Sequence, residues 1–194
     1  MVEFLQSPGS PWLLPLAAIA LLLLIWLIVR IVRGRRGGLE GALADISFDR
    51  IEGLVIPKAD EGEILIDYLI LTSKGLLILE VKDAQGIVFG GDKLQDWSVI
   101  NDERRYTFAN PQPALYDRIA AVRQVVREVP VAGRILFLDG ADFTKGVPDL
   151  VTNLAELVSE FGEPDKNAAK FKIEAFKPHW ELIRKAALTC SFAP

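Results

Sequence analysis

Cysteine and histidine are almost missing from this sequence: its 194 residues include one of each, Cys190 and His179. A single cysteine excludes an intramolecular disulfide and fits a reducing compartment. A single histidine excludes metal sites that use several imidazole ligands. Neither a Walker pattern nor a GxGxxG motif is present, so the common phosphate-binding loops are absent as well. These absences direct attention to carboxylates and basic side chains.

A basic surplus is also lacking. The whole chain has a formal net charge of −4, with 22 Lys and Arg against 26 Asp and Glu. From Gly37 onward the count is 18 against 25, a net charge of −7. Proteins that bind nucleic acid without sequence preference usually carry a basic footprint. The balance therefore argues against a strong nonspecific nucleic-acid binder, although a nuclease site does not require a basic domain.

Charge is absent altogether between Phe4 and Val29. This apolar stretch is long enough to cross a hydrocarbon core of about 30 Å as a helix, and it lacks the basic leader and cleavage site of a signal peptide. We expect an extracytoplasmic segment at 1–11, a transmembrane helix at 12–33 and a linker at 34–38. Four arginines follow the uncharged stretch, so the positive-inside rule predicts a cytoplasmic C-terminal part. They are Arg30, Arg33, Arg35 and Arg36.

The rest of the chain alternates strand and helix patterns. Ile64 to Leu71 and Leu76 to Val81 are apolar on both alternating faces, which is typical of strands covered on both sides. "ALYDRIAAVRQVVREV" has apolar residues at helical spacing, and "PDLVTNLAELVSEF" predicts a second helix. We expect "AKFKIEAF" to be a strand and a terminal helix to begin at Pro178. The pattern predicts an α/β sandwich with a mixed central sheet flanked by helices.

Three charged residues interrupt the two apolar strands: Asp67, Glu80 and Lys82. Alternate residues of a strand share a face, so Glu80 and Lys82 point the same way. If "TSKG" closes a two-residue hairpin with Thr72 opposite Gly75, Asp67 falls opposite Glu80. A hairpin with a glycine bulge would instead separate the two carboxylates.

Two interpretations of these charges remain open. Two carboxylates meeting in a covered sheet would repel each other, and a divalent cation such as Mg²⁺ would cancel that repulsion. Lys82 would then stabilise charge on a phosphate or orient a water for phosphodiester hydrolysis. Alternatively, Lys82 forms a structural ion pair with Asp67 or Glu80, and the cluster has no catalytic role.

The sequence resembles the nuclease-related domain family, called NERD, a branch of the PD-(D/E)xK nucleases. The likeness rests on "ILIDYLILTSKGLLILEVKDAQGIVFG", "DKLQDWSV", "RRYTFANPQPAL" and "RILFLDGADF". It implies a restriction-endonuclease-like sandwich at 39–161, followed by a C-terminal extension at 162–194 that packs on it. It further implies that Asp67 and Glu80 bind Mg²⁺ or Mn²⁺, that Lys82 is catalytic, and that Glu40 matches a further acidic position.

Some positions depart from the family pattern. Tyr68 stands where a histidine is frequent, and Ala114 stands where a glutamine is frequent, with Gln112 two residues away. We assign Gln112, Lys93 and Arg105 to substrate binding, the two cations as phosphate contacts. For Trp97 we expect a place in the core or at a sheet edge rather than stacking on a base.

The leading hypothesis is a membrane-anchored, metal-dependent nuclease acting on nucleic acid. The alternative is a catalytically inactive module that keeps the fold and binds or scaffolds a protein partner at the membrane. A third hypothesis, nucleic-acid binding without cleavage, is disfavoured by the acidic balance and would show salt-dependent binding.

Overall fold

The computed structural model describes residues 38–57, 62–165 and 167–190, which form four helices and nine strands. The helices are α1 (Leu39–Ile46), α2 (Pro111–Val125), α3 (Leu154–Phe161) and α4 (Lys170–Cys190). The strands are β1 (Asp49–Pro57), β2 (Glu63–Thr72), β3 (Gly75–Lys82), β4 (Gly86–Phe89), β5 (Asp96–Ile100), β6 (Arg105–Ala109), β7 (Val131–Phe137), β8 (Ala141–Asp142) and β9 (Val151–Thr152).

The chain falls into two compact units, Met1–Gly41 and Ala42–Pro194. In the first unit the described residues are 38–41, at the beginning of α1. The predicted segment at 1–11 and the transmembrane helix at 12–33 lie outside the described residues, as does all but the last residue of the linker. None of the helices in the described ranges is both long and apolar enough to cross a membrane.

The central sheet has five strands in the order β1-β2-β3-β7-β9. Strand β2 runs antiparallel to both β1 and β3, whereas β7 pairs with β3 and β9 in parallel. Residues from the middle of β2 and β3 on both faces are inaccessible to solvent, among them Leu69, Ile70, Leu77 and Ile78. The predicted α/β fold with a mixed sheet flanked by helices is therefore confirmed.

The turn between β2 and β3 sets the register of the central hairpin. Thr72 pairs with Gly75, as a two-residue hairpin requires, so that part of the prediction is confirmed. The Thr72 hydroxyl donates to the Gly75 carbonyl at 2.9 Å and accepts from the Lys74 amide at 3.1 Å. Gly75 has a φ of 119°, and a Cβ there would lie 2.3 Å from the Pro130 carbonyl oxygen. A glycine is required at this position for both reasons.

A second sheet of four strands, in the order β6-β5-β4-β8, was not foreseen as a separate layer. Trp97 lies at its centre, fully buried, with its indole N–H donating to the Gly91 carbonyl at 3.2 Å. Its ring packs against the rings of Phe108, Phe137 and Phe143 at centroid distances of 6.1, 6.3 and 6.2 Å. The expected core role of Trp97 is confirmed, and a base has no access to its ring.

Helix α2 lies against the central sheet beside β7. The Asn110 side chain caps its first turn by accepting from the Gln112 amide at 2.9 Å, ahead of two early prolines that suit a helix start. On β7, a Cβ at Gly133 would come within 2.7 Å of Ile119 and 2.9 Å of Leu115. The missing side chain at Gly133 therefore allows α2 to approach the sheet closely.

The C-terminal region differs from the prediction. The expected strand "AKFKIEAF" is wrong, because Lys170 to Cys190 form one helix that continues through Pro178. The buried residues Ala169, Ile173, Trp180 and Ile183 follow helical spacing across the proline, whereas Phe171 is 88% exposed. The Trp180 indole donates to the Asp49 carboxylate at 2.8 Å, which ties α4 to β1.

Candidate active site

The β2–β3 hairpin carries the candidate site at the end far from its turn. The paired residues run from Thr72 and Gly75 to Tyr68 and Leu79. One further step in the same register places Asp67 opposite Glu80, and directly opposed residues of an antiparallel pair lie on one face. Lys82 lies two residues beyond Glu80 on that face. The structure thus brings Glu80 and Lys82 into contact, and the extended register predicts Asp67 on the same face.

Glu80 is the buried member of this group, with a residue exposure of 6%. Its Oε1 lies 2.8 Å from the Lys82 ammonium, and its Oε2 accepts from the Arg118 guanidinium at 3.1 Å. An ionised carboxylate loses several kcal/mol of hydration on burial and is stable there only when it is paired. The two cations provide that compensation.

Arg118 was missed in the sequence, although a signal for it is present. It is three residues after Leu115 and four before Val122, so it lies on the same side of α2 as those two buried residues. A charged residue in an apolar helical stripe indicates a specific partner on the surface that the helix covers. Besides Glu80, Arg118 binds the backbone carbonyl of Leu65 through Nε at 2.7 Å.

Asp67 differs from Glu80 in its surroundings. It is partly exposed, and no side-chain hydrogen bond or ion pair joins it to another residue of the described ranges. On its other side the β1–β2 register places Gly53 opposite, since Glu52 pairs with Tyr68 and Leu54 with Ile66. A Cβ added to Gly53 would meet nothing within 4 Å, so the space along β1 at this position is open.

The donor set fits a hard divalent cation. Mg²⁺ in proteins is held by one or two carboxylates and keeps water or phosphate oxygens for its remaining positions, and Asp67 and Glu80 supply two carboxylates in register. Three or more His, Cys, Asp or Glu side chains do not gather into a metal-binding group anywhere in the described part of the chain. Any metal at this hairpin would therefore rely on solvent or substrate oxygens for most of its coordination.

The charges of the site balance without a metal. Asp67 and Glu80 contribute two negative charges, and Lys82 and Arg118 contribute two positive ones. The ion pair that the structural interpretation expected between Lys82 and Glu80 is present at 2.8 Å. Addition of a divalent cation would give the site a net positive charge, which favours an anionic substrate such as a phosphodiester.

Gln112 lies at the beginning of α2 and is buried, with a residue exposure of 4%, in a network whose partners Asp92 and Asp149 are exposed. Its amide nitrogen donates to the Asp92 carboxylate at 2.6 Å and to the Asp149 carbonyl at 2.7 Å, and its oxygen accepts from Asn110 at 3.1 Å. The hydrogen bond from Gln112, followed by that from the Asp149 amide, lowers the pKa of Asp92 below its ordinary 3.8. This network joins three segments that are distant in the sequence.

The other residues predicted to bind substrate or metal are distributed more widely. Lys93 follows Asp92 in the turn before β5, and Arg105 begins β6; both are exposed. Because Arg105 pairs with Ile100 and Asp96 with Ala109, Lys93 and Arg105 lie at opposite ends of the β5–β6 pair. Glu40 lies in the first turn of α1, in the first of the two units, and is exposed.

The fold and the site define an α/β domain with a mixed sheet and a cluster of two acids and two bases at the end of its central hairpin. Comparison with protein families matches residues 40–138, just over half of the chain, to the nuclease-related domain, NERD. The chain belongs to this family. A search of curated proteins and a search of solved structures gave no significant match.

Proposed function

We propose that this protein is a membrane-anchored, metal-dependent nuclease that hydrolyses phosphodiester bonds of nucleic acid. The proposal is supported chiefly by the register of the β2–β3 hairpin: extended one pair beyond Tyr68 and Leu79, it puts Asp67 opposite Glu80, whose carboxylate lies 2.8 Å from the Lys82 ammonium. Membership of the nuclease-related domain family supports a nuclease-related function in general. The particular residues, the metal and the substrate are parts of the proposal.

In the proposed reaction each residue has a distinct role. Asp67 and Glu80 would hold Mg²⁺ or Mn²⁺, which supplies charge stabilisation at the phosphoryl oxygens and a more acidic water. Lys82 would orient that water or stabilise the charge that develops on the phosphate. Burial of Glu80 keeps its carboxylate in one position, whereas the partly exposed Asp67 faces the side from which substrate arrives. The further acidic position that the family resemblance offers, Glu40, stays a prediction.

Substrate contacts outside the hairpin are proposed for Lys93, Arg105 and Gln112. The two cations are exposed and suited to phosphate oxygens. Gln112 would act through the segments that its amide holds together, since its amide nitrogen already has two partners. These contacts would position nucleic acid along the second sheet.

The membrane anchor is proposed for residues 12–33, with the N-terminus outside and the C-terminal part in the cytoplasm. Its support comes from the sequence, in which charge is absent from Phe4 to Val29 and four arginines follow. Such an arrangement would restrict the nuclease to substrates that reach the inner membrane surface.

The proposed function is tested by cleavage assays with the full chain in a mild detergent. Labelled linear, circular and single-stranded DNA, and RNA, are incubated with Mg²⁺, Mn²⁺ or EDTA. We expect metal-dependent cleavage that falls by about 100-fold or more in Lys82→Ala, which removes a group that acts on the water or the phosphate, and in Asp67→Asn, which removes a metal ligand.

Two matched variants serve as controls. Glu52→Gln removes a carboxylate on β1, opposite Tyr68 and hence on the other face of the sheet. Lys177→Ala removes an exposed lysine that forms an ion pair with a glutamate. It matches Lys82 in that Lys82 also forms an ion pair with a glutamate. Both should cleave like the original chain. If the folded protein cleaves none of the substrates with either metal, the nuclease proposal is wrong.

The alternative function, a catalytically inactive module at the membrane, is also supported by an observation. Both oxygens of Glu80 already have basic partners, so the site is electrically balanced without a metal. A module of this kind would bind a protein partner and use the cluster only for stability. The inactive-module proposal predicts that no metal binding depends on Asp67, whereas the nuclease proposal predicts that it does. A metal-binding measurement therefore distinguishes the two.

A further inference from the structure

Arg118 has no assigned role in the reaction, yet within the described residues it is one of the two basic side chains paired with Glu80. Its side chain is 20% exposed, and its guanidinium makes one hydrogen bond to Oε2, at 3.1 Å, rather than a bidentate contact with both oxygens. A second and shorter contact runs from Nε to the Leu65 carbonyl, at 2.7 Å. Loss of the Glu80 contact would therefore leave Arg118 held beside the site.

The position of Arg118 is determined by the packing of α2 on the sheet as well as by the ion pair with Glu80. Because Gly133 has no side chain, Leu115 and Ile119 of α2 can pack within van der Waals distance of β7. This packing sets the distance between α2 and the sheet. Arg118 lies between these two contacts along the helix. Its side chain consequently reaches Glu80 and the Leu65 carbonyl together.

A divalent cation bound by Asp67 and Glu80 would meet this guanidinium at Glu80. A metal ion and an arginine that bind the same buried carboxylate repel each other, and the low dielectric of a covered sheet strengthens that repulsion. Of the two cations at Glu80, Lys82 has the shorter contact, 2.8 Å against 3.1 Å. Arg118 is the partner that a metal displaces more readily.

We propose that Arg118 is a positioning residue that competes with the metal for Glu80. In the metal-free chain it pairs with the buried carboxylate and orients it. When the metal binds, Arg118 releases Oε2 of Glu80 but keeps its hydrogen bond to the Leu65 carbonyl. Arg118 thereby lowers the affinity of the site for the metal while it keeps the metal-free site folded. This inference rests on the proposed function, because it assumes that Glu80 is a metal ligand.

The test measures Mn²⁺ binding by the full chain, from the electron paramagnetic resonance signal of free Mn²⁺. We expect Arg118→Gln to lower the Kd for Mn²⁺ on the order of tenfold, because one competing charge-assisted hydrogen bond is removed. A residue that only supported the fold would leave the Kd unchanged or raise it. Asp67→Asn should abolish binding with or without Arg118→Gln, which places the ion at this hairpin.

Arg123→Gln is the matched control. Arg123 is on the same helix and donates to a backbone carbonyl, that of Val131 at 2.9 Å, but does not contact Glu80. Its removal takes the same charge from α2, and we expect a change in Kd within about twofold, since separated exposed charges are screened. Circular dichroism melting establishes that each variant is folded.

The outcomes separate the inference from the proposed function. If the original chain binds Mn²⁺ and Arg118→Gln binds it equally or more weakly, competition is excluded and the nuclease proposal stands. If only Arg118→Gln binds Mn²⁺, competition is supported and the native chain is not a metal-dependent nuclease. If neither binds, both proposals fail. Should Arg118→Gln not fold, Arg118→Lys, which cannot reach both acceptors as a fork does, must bind more tightly for the inference to hold.

Discussion

Glu80 owes its stability in the central sheet to cations that come from two different elements. Lys82 reaches it along its own strand, and Arg118 reaches it from α2 across the face of the sheet. A buried carboxylate that loses such partners is destabilising, because its charge is then uncompensated. Removal of the carboxylate's charge is destabilising as well, because the two cations then repel each other with no negative charge between them. The residue therefore links the stability of the fold to the chemistry proposed for the site.

Replacement of Glu80 tests this link. We expect Glu80→Gln to lower the free energy of unfolding by about 1–3 kcal/mol at neutral pH, measured by urea denaturation. The estimate lies below the range for fully buried pairs, because the Lys82 and Arg118 side chains are 34% and 20% exposed. The loss should diminish in high salt, which screens the repulsion between the two remaining cations.

The control is Glu52→Gln, which disrupts a pair with Arg50 in which the glutamate side chain is 52% exposed. Exposed pairs contribute about 0–1 kcal/mol, so this variant should differ little from the original chain. An equal effect of the two substitutions would contradict the special status of Glu80.

At the residue scale, part of the site was predictable and part was not. Asp67, Glu80 and Lys82 were recognisable because charges are rare within strands that are apolar on both faces. Arg118 was not identified, because an arginine in an amphipathic helix is usually solvated and its partner depends on which sheet face the helix covers. That information is in the tertiary packing around Gly133, not in the helix itself.

Among the elements, the network around Gln112 stands out because it clamps α2 to two loops. Asp92 accepts from the Gln112 side chain at 2.6 Å and from the Asp149 amide at 2.9 Å. These hydrogen bonds lower the pKa of Asp92, the bond from Gln112 having the largest effect. A carboxyl whose pKa is lower in the folded chain adds stability above its ordinary value, and that stability is lost as the pH falls through the folded value.

The sign of the pH dependence is therefore fixed. Asp92→Asn should lower the thermal midpoint at neutral pH, and the difference from the original chain should shrink as the pH falls below 3.8, the ordinary carboxyl pKa. A double-mutant cycle with Gln112→Met isolates the coupling between the two side chains. If the coupling free energy stays constant as the pH is lowered through the acidic range, the charge on Asp92 does not contribute to that coupling.

Elements with strong local patterns were predicted well and short or unusual ones were not. The β2–β3 hairpin and α2 agree with their sequence patterns, since apolar periodicity and turn residues coincide there. Asp149 was expected to begin the second long helix, but β9 intervenes and Asn153 caps α3 by accepting from the Glu156 amide. Two-residue strands such as β8 and β9 have no periodicity of their own and form only because a neighbouring strand offers hydrogen bonds.

For the whole molecule, the α/β class followed from the order of strand and helix patterns, but the division into two sheets did not. Strand pairing over long separations, such as β4 with β8, depends on tertiary context. The acidic balance of −7 from Gly37 onward also has a consequence at this scale, because nucleic acid is attracted only where basic residues are locally grouped. Cleavage would accordingly be sensitive to local cations and not to overall charge.

The central claim, phosphodiester hydrolysis at the β2–β3 hairpin, is tested most directly by following the oxygen atom that water adds. The full chain is incubated with labelled DNA or RNA in ¹⁸O-labelled water, with Mg²⁺ or EDTA, and product ends are analysed by mass spectrometry. We predict one ¹⁸O in each new terminal phosphate with Mg²⁺, and none with EDTA or in Lys82→Ala. Intact substrate after incubation with the folded chain and metal, or cleavage unaffected by Lys82→Ala, would contradict the account.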